Sequence, residues 1–351
     1  MRFTHDTLAQ QVRFGSGTVG DALAEVTSGA QRIMLLCTPR ESERAAAITA
    51  GLPVALAHHD VAMHVPIEVA DRARTAAADA QADLLLCFGG GSAIGLAKAV
   101  ALTSSLPIVA VPTTYSGSEA TSVWGLTEDG RKTTGVDPRV APRAIVYDAE
   151  LTLGLPVATS TTSGLNALAH CVDAMWGPRA DPIDRVLAAE SARALREGLP
   201  AVSADPSGLP GREQVLYAAY LAASAFSSAG SGLHHKICHV LGGAFDLPHA
   251  PTHAAVLPHV LAFNATGAPE AEARLAEAFG ADDAVAGLAA LYAELGGVRP
   301  LRDLGMAEND IDPAVEAIAP LVPSGNPRPV TAADLHRILS AAWSGAAPGT
   351  V

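Results

Sequence analysis

Twelve histidines in 351 residues are a large supply of groups that change charge near neutral pH, and their spacing says more than their number. Asn166 and His170 stand four residues apart in a helical stretch, so they share one face. His235 and His239 repeat that spacing, with His234 and Lys236 beside them, and His249 follows fourteen residues after His235. A lone His on a helix is more often structural than functional. Several that can converge offer either a metal-binding set or a site for proton transfer. The second chemical signal is Gly89-Gly90-Gly91-Ser92, directly after the apolar run 84–88 and before an Ala-rich stretch at 93–100. Glycines let the backbone approach a phosphate, and the free N–H groups and dipole of a following helix favour negative charge. A plain strand-to-helix turn has the same letters, so the turn is weak evidence alone.

A polar loop, Thr113-Thr114-Tyr115-Ser116-Gly117-Ser118-Glu119, follows the next apolar run. Ligands of open α/β sheets bind at the carboxyl ends of strands. The hydroxyls of Thr113, Thr114 and Ser118 are therefore expected to bond a nicotinamide amide or a phosphate.

These groups need elements to hold them. Short apolar runs at 33–37, 54–57, 84–88, 108–111 and 144–147 have strand length and turn-forming neighbours. Helix-compatible stretches at 42–50, 69–82 and 93–103 lie between them, and this alternation predicts a mostly parallel sheet covered by helices. Residues 121–126 and 132–135, joined by Glu128-Asp129-Gly130, read as an inserted hairpin. After Leu155-Pro156 the texture changes: 159–164 is polar, and from there the apolar spacing is helical. Helices are expected at 183–197, 213–226, 270–279, 284–295 and 332–343, with no strand among them. The reading is an α/β dinucleotide-binding domain over 1–152 and an all-helical domain over 153–351.

Composition narrows the partners. With 23 Lys and Arg against 36 Asp and Glu, the net charge of −13 disfavours nucleic acid and anionic membrane surfaces. Cys37, Cys87, Cys171 and Cys238 lie far apart with no C-x-x-C pair, which suits buried, reduced thiols. The first residues lack the apolar core of a signal peptide, and the longest uncharged stretches are broken by Ser, Thr and Pro. A cytoplasmic protein is expected.

Gly89–Ser92 with Lys98 downstream, the loop at 112–119 and the Asn166/His170/His235/His249 spacing together resemble the iron-containing alcohol dehydrogenase superfamily. The resemblance runs from about Phe14 to His259. It implies a dehydroquinate-synthase-like architecture: an α/β dinucleotide-binding domain followed by an all-α domain. Metal-binding members hold their ion with an Asp, a His four residues later and two His fourteen apart. Asn166 stands at the Asp position here, His170, His235 and His249 at the others, and His239 matches a further active-site His.

Met63-His64-Val65-Pro66, the run 89–98, the loop 113–119 and Trp124-Gly125-Leu126-Thr127-Glu128 resemble the maleylacetate reductase branch, with Gly95 where the alcohol dehydrogenases usually carry Asp. That branch reduces the conjugated C=C bond of maleylacetate to 3-oxoadipate with NADH or NADPH, in aromatic-compound catabolism. The resemblance places Thr38, Arg40, His64, Gly89, Gly90 and Gly91 at the cofactor, together with Ser92, Lys98, Thr113, Thr114, Ser118 and Lys132. Thr38-Pro39-Arg40 replaces an acidic residue at the end of the second-strand region, so both cofactors are expected. His239 and His249 are expected as acid or oxyanion stabiliser, with His170, His235 and Asn166 shaping the pocket. Tyr115 and Lys236 are expected to anchor a small dicarboxylate substrate. The resemblance also implies a homodimer, and the neutral Asn166 implies that no metal is held. Three other readings stay open: a metal-dependent alcohol dehydrogenase or aldehyde reductase, a dehydroquinate-synthase-like lyase, and a dinucleotide-binding protein without catalysis. Activity on simple alcohols with added metal, the absence of net NADH consumption, and binding without turnover would mark them respectively.

Overall fold

The computed structural model describes residues 2–129 and 131–347, with nothing stated of the side chains of Arg131 and Lys132. The chain divides into two compact units, Leu8–Leu155, and Pro156–Val351 together with Met1–Thr7. The first residues join the second unit because the His5 ring bonds Asp181 at 2.8 Å and Ser228 at 3.2 Å.

In the first unit, β1 (Gln11–Phe14), β2 (Ile33–Leu36), β3 (Val54–His58), β4 (Leu84–Gly89), β5 (Ile108–Pro112) and β8 (Ala144–Tyr147) form one sheet in the order β1-β8-β5-β4-β2-β3. Every pairing is parallel. The central strands β2, β4, β5 and β8 are buried along their whole length, so they read as continuous apolar runs rather than alternating ones. Helices α1 (Val19–Val26), α2 (Ser42–Ile48), α3 (Ile67–Asp79) and α4 (Gly91–Ser104) connect the strands. The hairpin β6 (Val123–Glu128) and β7 (Arg131–Val136) is antiparallel and separate from the main sheet.

The second unit carries α5 (Val157–Trp176), α6 (Pro182–Ala204), α7 (Leu209–Ala229), α8 (Leu233–Ala244), α9 (His249–Ala265), α10 (Pro269–Phe279), α11 (Ala284–Glu294), α12 (Ile311–Ile318) and α13 (Ala332–Ser344). Among its described residues there is no strand. The polar stretch 159–164, expected to precede the helices, is the first part of α5. Thr162 Oγ1 donates back to the Ala158 carbonyl at 3.1 Å, so this hydroxyl is satisfied inside the helix. From Ser163 to Trp176 every residue of α5 is buried, which makes it the central helix of the unit. It packs against α6, α7, α8 and α9. Small residues set the spacing: a Cβ on Gly164 would run into the Leu199 side chain, and one on Gly198 would lie 2.8 Å from Val215 Cγ2. No helix of the described residues is long and apolar enough to cross a membrane.

Candidate active site

The cofactor half of the expected site is assembled at the carboxyl edge of β4 and β5. Gly89 has φ 146°, a conformation that L side chains rarely adopt, and its carbonyl accepts from Thr113 N at 3.1 Å. That bond ties the two loops together. A Cβ on Gly90 would meet Thr114 Cγ2 at 2.9 Å, and one on Gly91 would meet Ser116 Oγ at 3.5 Å. The glycine turn and the polar loop therefore form one surface. Gly91 and Ser92 open α4, whose first N–H groups have no carbonyl of the preceding turn to bond. Ser116 Oγ is buried there without a hydrogen-bond partner. Thr114 and Ser118 are half-buried on the same loop, and Arg40 is exposed beyond β2.

Several sequence expectations take a different form. Lys98 is almost fully buried, and its Nζ donates to Thr121 O, Thr121 Oγ1 and Val123 O at 2.8–2.9 Å. All three N–H donors are used inside the protein, so Lys98 braces the approach to β6 instead of contacting the cofactor. Burial lowers its pKa to about 7, against the opposing pull of buried Glu119. Tyr115 is likewise fully buried, with its hydroxyl toward Thr152 Oγ1 at 3.4 Å. A buried phenol must find its partners inside, so Tyr115 belongs to the core of the α/β unit and does not present its hydroxyl to a substrate. His64 and Val65 both have positive φ, and Thr127 holds their carbonyls through its Oγ1 and N at 2.8 and 3.0 Å. Val65 packs where a Cβ on Gly95 would stand, 2.9 Å from its Cγ2, which accounts for glycine at 95. The side chain of Lys132 lies outside the described residues.

Thr38 and Thr113 reveal a residue the sequence reading passed over. Both donate to Glu41, Thr38 Oγ1 to Oε2 at 2.9 Å and Thr113 Oγ1 to Oε1 at 2.7 Å.

The histidines gather in the helical unit. On α5, Asn166, His170 and Asp173 recur at helical spacing on one face. The His170 ring stacks on that of His235 from α8, with centroids 4.9 Å apart, and Phe226 of α7 lies against both. Asp173, missed in the sequence, fixes the orientation of His235. Its Oδ2 sits 2.7 Å from His235 Nδ1 and accepts from Gly232 N and His235 N at 3.0 and 3.1 Å. This puts the proton of His235 on Nδ1 and leaves Nε2 as a buried acceptor without a partner. The His170 Nδ1 and Asn166 Oδ1 atoms are buried and unpartnered as well.

Deeper in, His234 Nε2 and His253 Nδ1 hydrogen-bond at 3.0 Å, both rings fully buried. His253 follows His249 by one helical turn, so the same spacing rule that picked out His170 and His239 could have found it. His239 and His249 differ from the rest in access: His239 is half-buried and His249 exposed. Lys236 is half-buried beside them in sequence.

Desolvation dominates the electrostatics. It pushes His170 down to about 4 and His234 to about 3, and holds His235 and His253 well below the ordinary range, with neighbouring imidazoles adding to the effect in the last three. His259, elsewhere on α9, is lowered by burial to about 4. Burial also raises Asp173 to about 7, opposed by the backbone N–H groups it accepts from. In the unfolded chain these imidazoles titrate near 6.5, so between about pH 6.5 and 4 the unfolded state binds more protons. These five lowered imidazoles outweigh Asp173, whose raised pKa acts in the opposite direction, so stability is expected to fall as pH drops through that window. Thermal melts that show the same Tm across it would mean that the rings are protonated in the folded protein.

The fold and these groups have known counterparts. The model of the "Iron-containing alcohol dehydrogenase" family matches residues 9–149, and that of the "Fe-containing alcohol dehydrogenase family, C-terminal" matches 160–343. The chain is 44% identical to the maleylacetate reductase of Sphingobium indicum over 100% of both chains. It is 46% identical to maleylacetate reductase 2 of Cupriavidus pinatubonensis over 96% of each. Among solved structures, an iron-containing alcohol dehydrogenase from Corynebacterium glutamicum superposes with a TM-score of 0.98 at 55% identity, covering 99% of both chains. The maleylacetate reductase of Agrobacterium tumefaciens does so at 0.94 and 40%, covering 99% of this chain and 100% of that one. With both halves matched by the family's models and its whole length by these relatives, the chain belongs to the iron-containing alcohol dehydrogenase family and, within it, groups with the maleylacetate reductases.

Proposed function

We propose that the protein reduces the conjugated carbon–carbon double bond of maleylacetate to give 3-oxoadipate, using NADH or NADPH. One observation carries the reading: the buried neutral imidazoles lead out to two accessible ones, His239 and His249, in a chain that maleylacetate reductases match end to end. Gly89–Ser92 suits a nicotinamide nucleotide, because the glycine turn lets backbone approach its phosphates and the start of α4 offers N–H groups without a carbonyl of a preceding turn to bond. When bound, the reduced nicotinamide supplies a hydride to the alkene carbon β to the ketone.

The chain's own residues supply the rest. Negative charge grows on the ketone oxygen as the alkene is reduced, and a preorganised hydrogen-bond donor there lowers the barrier. The neighbouring carbon must then receive a proton. His239 and His249 take these two roles, being the histidines of the cluster that a substrate can reach. His170, His235 and Asn166 present unpartnered polar atoms behind them and orient polar groups of the substrate. Lys236 is the cation best placed along α8 to hold a carboxylate. The family relationship also supports a homodimer working in the cytoplasm.

The family's name implies iron, and the donor set here does not fit a dication well. Asn166 supplies a neutral amide where a carboxylate would offset the metal's charge. Asp173, the nearby carboxyl, commits Oδ2 to His235 and two backbone N–H groups while Oδ1 is buried without a partner, and burial raises its pKa to about 7, so it is a poor source of the missing charge. Among the described His, Cys, Asp and Glu side chains of the cluster, His234, His235 and His253 bring ligand atoms within 4.8 Å of one another, yet two of those rings already bond each other. The reduction is therefore proposed to proceed without metal. Turnover of maleylacetate should survive dialysis against a strong chelator, and Asn166→Asp should raise affinity for Fe²⁺ or Zn²⁺ in a binding titration. Loss of wild-type activity on chelation, restored by added metal, would return the protein to metal-dependent alcohol chemistry. Stoichiometric NADH oxidation with maleylacetate separates the proposal from a lyase and from a non-catalytic binder.

A further inference from the structure

We infer that Glu41 sets the choice between NADH and NADPH: its carboxylate accepts from the adenosine ribose hydroxyls and repels a 2′-phosphate. The inference rests on the reading of Gly89–Ser92 as the nucleotide's phosphate site.

The argument starts from the sheet. β2 lies beside β4, with Leu36 opposite Cys87, so the chain leaving β2 emerges next to the glycine turn. It bends at once into the short turn Pro39–Glu41. That turn sends the Glu41 side chain back across the end of β4. Oε2 accepts from Thr38 Oγ1 on its own loop, and Oε1 accepts from Thr113 Oγ1 on the loop after β5. Oε2 also lies 2.9 Å from where a Cβ on Gly89 would stand. A half-buried carboxylate is thereby pinned from both sides against the first glycine of the turn.

Pinning matters because it uses only part of the group. Each carboxylate oxygen accepts one threonine hydroxyl and retains acceptor capacity for another. In parallel sheets that bind dinucleotides, an acid at the end of the strand beside the glycine turn takes the ribose 2′-hydroxyl. Thr38-Pro39-Arg40 lacks that acid immediately after the strand, and Glu41 supplies it one residue later through the bend of the backbone. A 2′-phosphate in the same place would put like charges against each other in partly dewatered surroundings, which is costly. Arg40 is exposed beside it, so cation and anion adjoin in sequence while the anion faces the glycine turn.

Glu41→Gln tests this without dismantling the loop, since the amide can accept from one threonine hydroxyl and donate to the other. The readout is the Kd of each reduced nucleotide, measured by fluorescence titration in the absence of substrate. Wild type should bind NADH more tightly than NADPH, and Glu41→Gln should shift the ratio toward NADPH by about tenfold, the worth of one charge-assisted contact. An unchanged ratio in a variant that binds both nucleotides would make Glu41 a brace only and overturn the inference, leaving the reductase reading intact. A larger shift from Arg40→Ala than from Glu41→Gln would give the choice to Arg40 and also overturn it. Failure of wild type to bind either nucleotide would refute the nucleotide site itself, and the inference with it.

Discussion

Alanine in place of His239 or of His249 should lower kcat by about a hundredfold or more, with the Kd for reduced nucleotide little changed. The expectation follows from access and charge together. His170, His234, His235 and His253 are buried and held neutral far below the ordinary imidazole range. Such rings can accept or donate one hydrogen bond, but protonating them is costly. His239 and His249 keep contact with the outside and can be reloaded with protons between turnovers. Losing either removes a donor from the enolate oxygen or the acid from the neighbouring carbon, and neither residue belongs to the unit that carries the glycine turn. Steady-state NADH oxidation with freshly generated maleylacetate checks the first half, and nucleotide titration the second. Near-normal turnover in both variants would assign the proton to another group.

Gly90→Val should weaken nucleotide binding by about a hundredfold while the fold is kept. Gly90 has φ −83°, which any residue adopts, so the backbone itself does not object. The objection is spatial. The first carbon of a side chain there already meets Thr114 at 2.9 Å, and two more methyl groups would press further into the polar loop. The polar loop would be pushed away from the turn it is bonded to through Thr113 N and Gly89 O. Far-UV circular dichroism and melting establish that the variant is folded, and titration with NADH reads the effect. A folded variant with wild-type affinity would show that the phosphates lie elsewhere.

What the sequence disclosed depended on how far a signal travels along the chain. β2, β4, β5 and β8 were legible because strands buried on both faces are apolar without interruption. β1 was not, since Gln11-Val12-Arg13-Phe14 is a partly exposed edge strand and carries polar residues. The start of α5 is polar in sequence yet helical, because Ser160, Thr161 and Ser163 are buried within the helical unit, a tertiary effect. Among site residues, the four-residue spacings found the right helices. They did not find Asp173, whose role depends on α5 and α8 meeting; His253 stands one turn after His249, but its bond to His234 of α8 appears only when the two helices pack. Lys98 lies in α4 and Tyr115 in the polar loop, yet both point inward, and nothing in a string of letters shows which way either side chain faces. Glu41 was overlooked for the opposite reason: its neighbour Arg40 dominated the motif, while the backbone turn that brings the acid back is invisible before folding.

The close spacing of α5, α6 and α7 has a consequence for how this protein can change over generations. Only 4% of the chain is aromatic, and these helices approach through Gly164, Gly198 and a lining of alanines. A core of large side chains fails mainly by losing volume, through cavities. A core of small ones has little volume to lose, and each added methylene meets an already packed neighbour such as Leu199 or Val215. Drift at these positions is therefore confined to exchanges among the smallest residues. The one histidine that α5 carries inherits that rigidity: the helix bearing Asn166, His170 and Asp173 is held by neighbours with little room for larger side chains, so changes in substrate preference are expected on the more accessible helices around it.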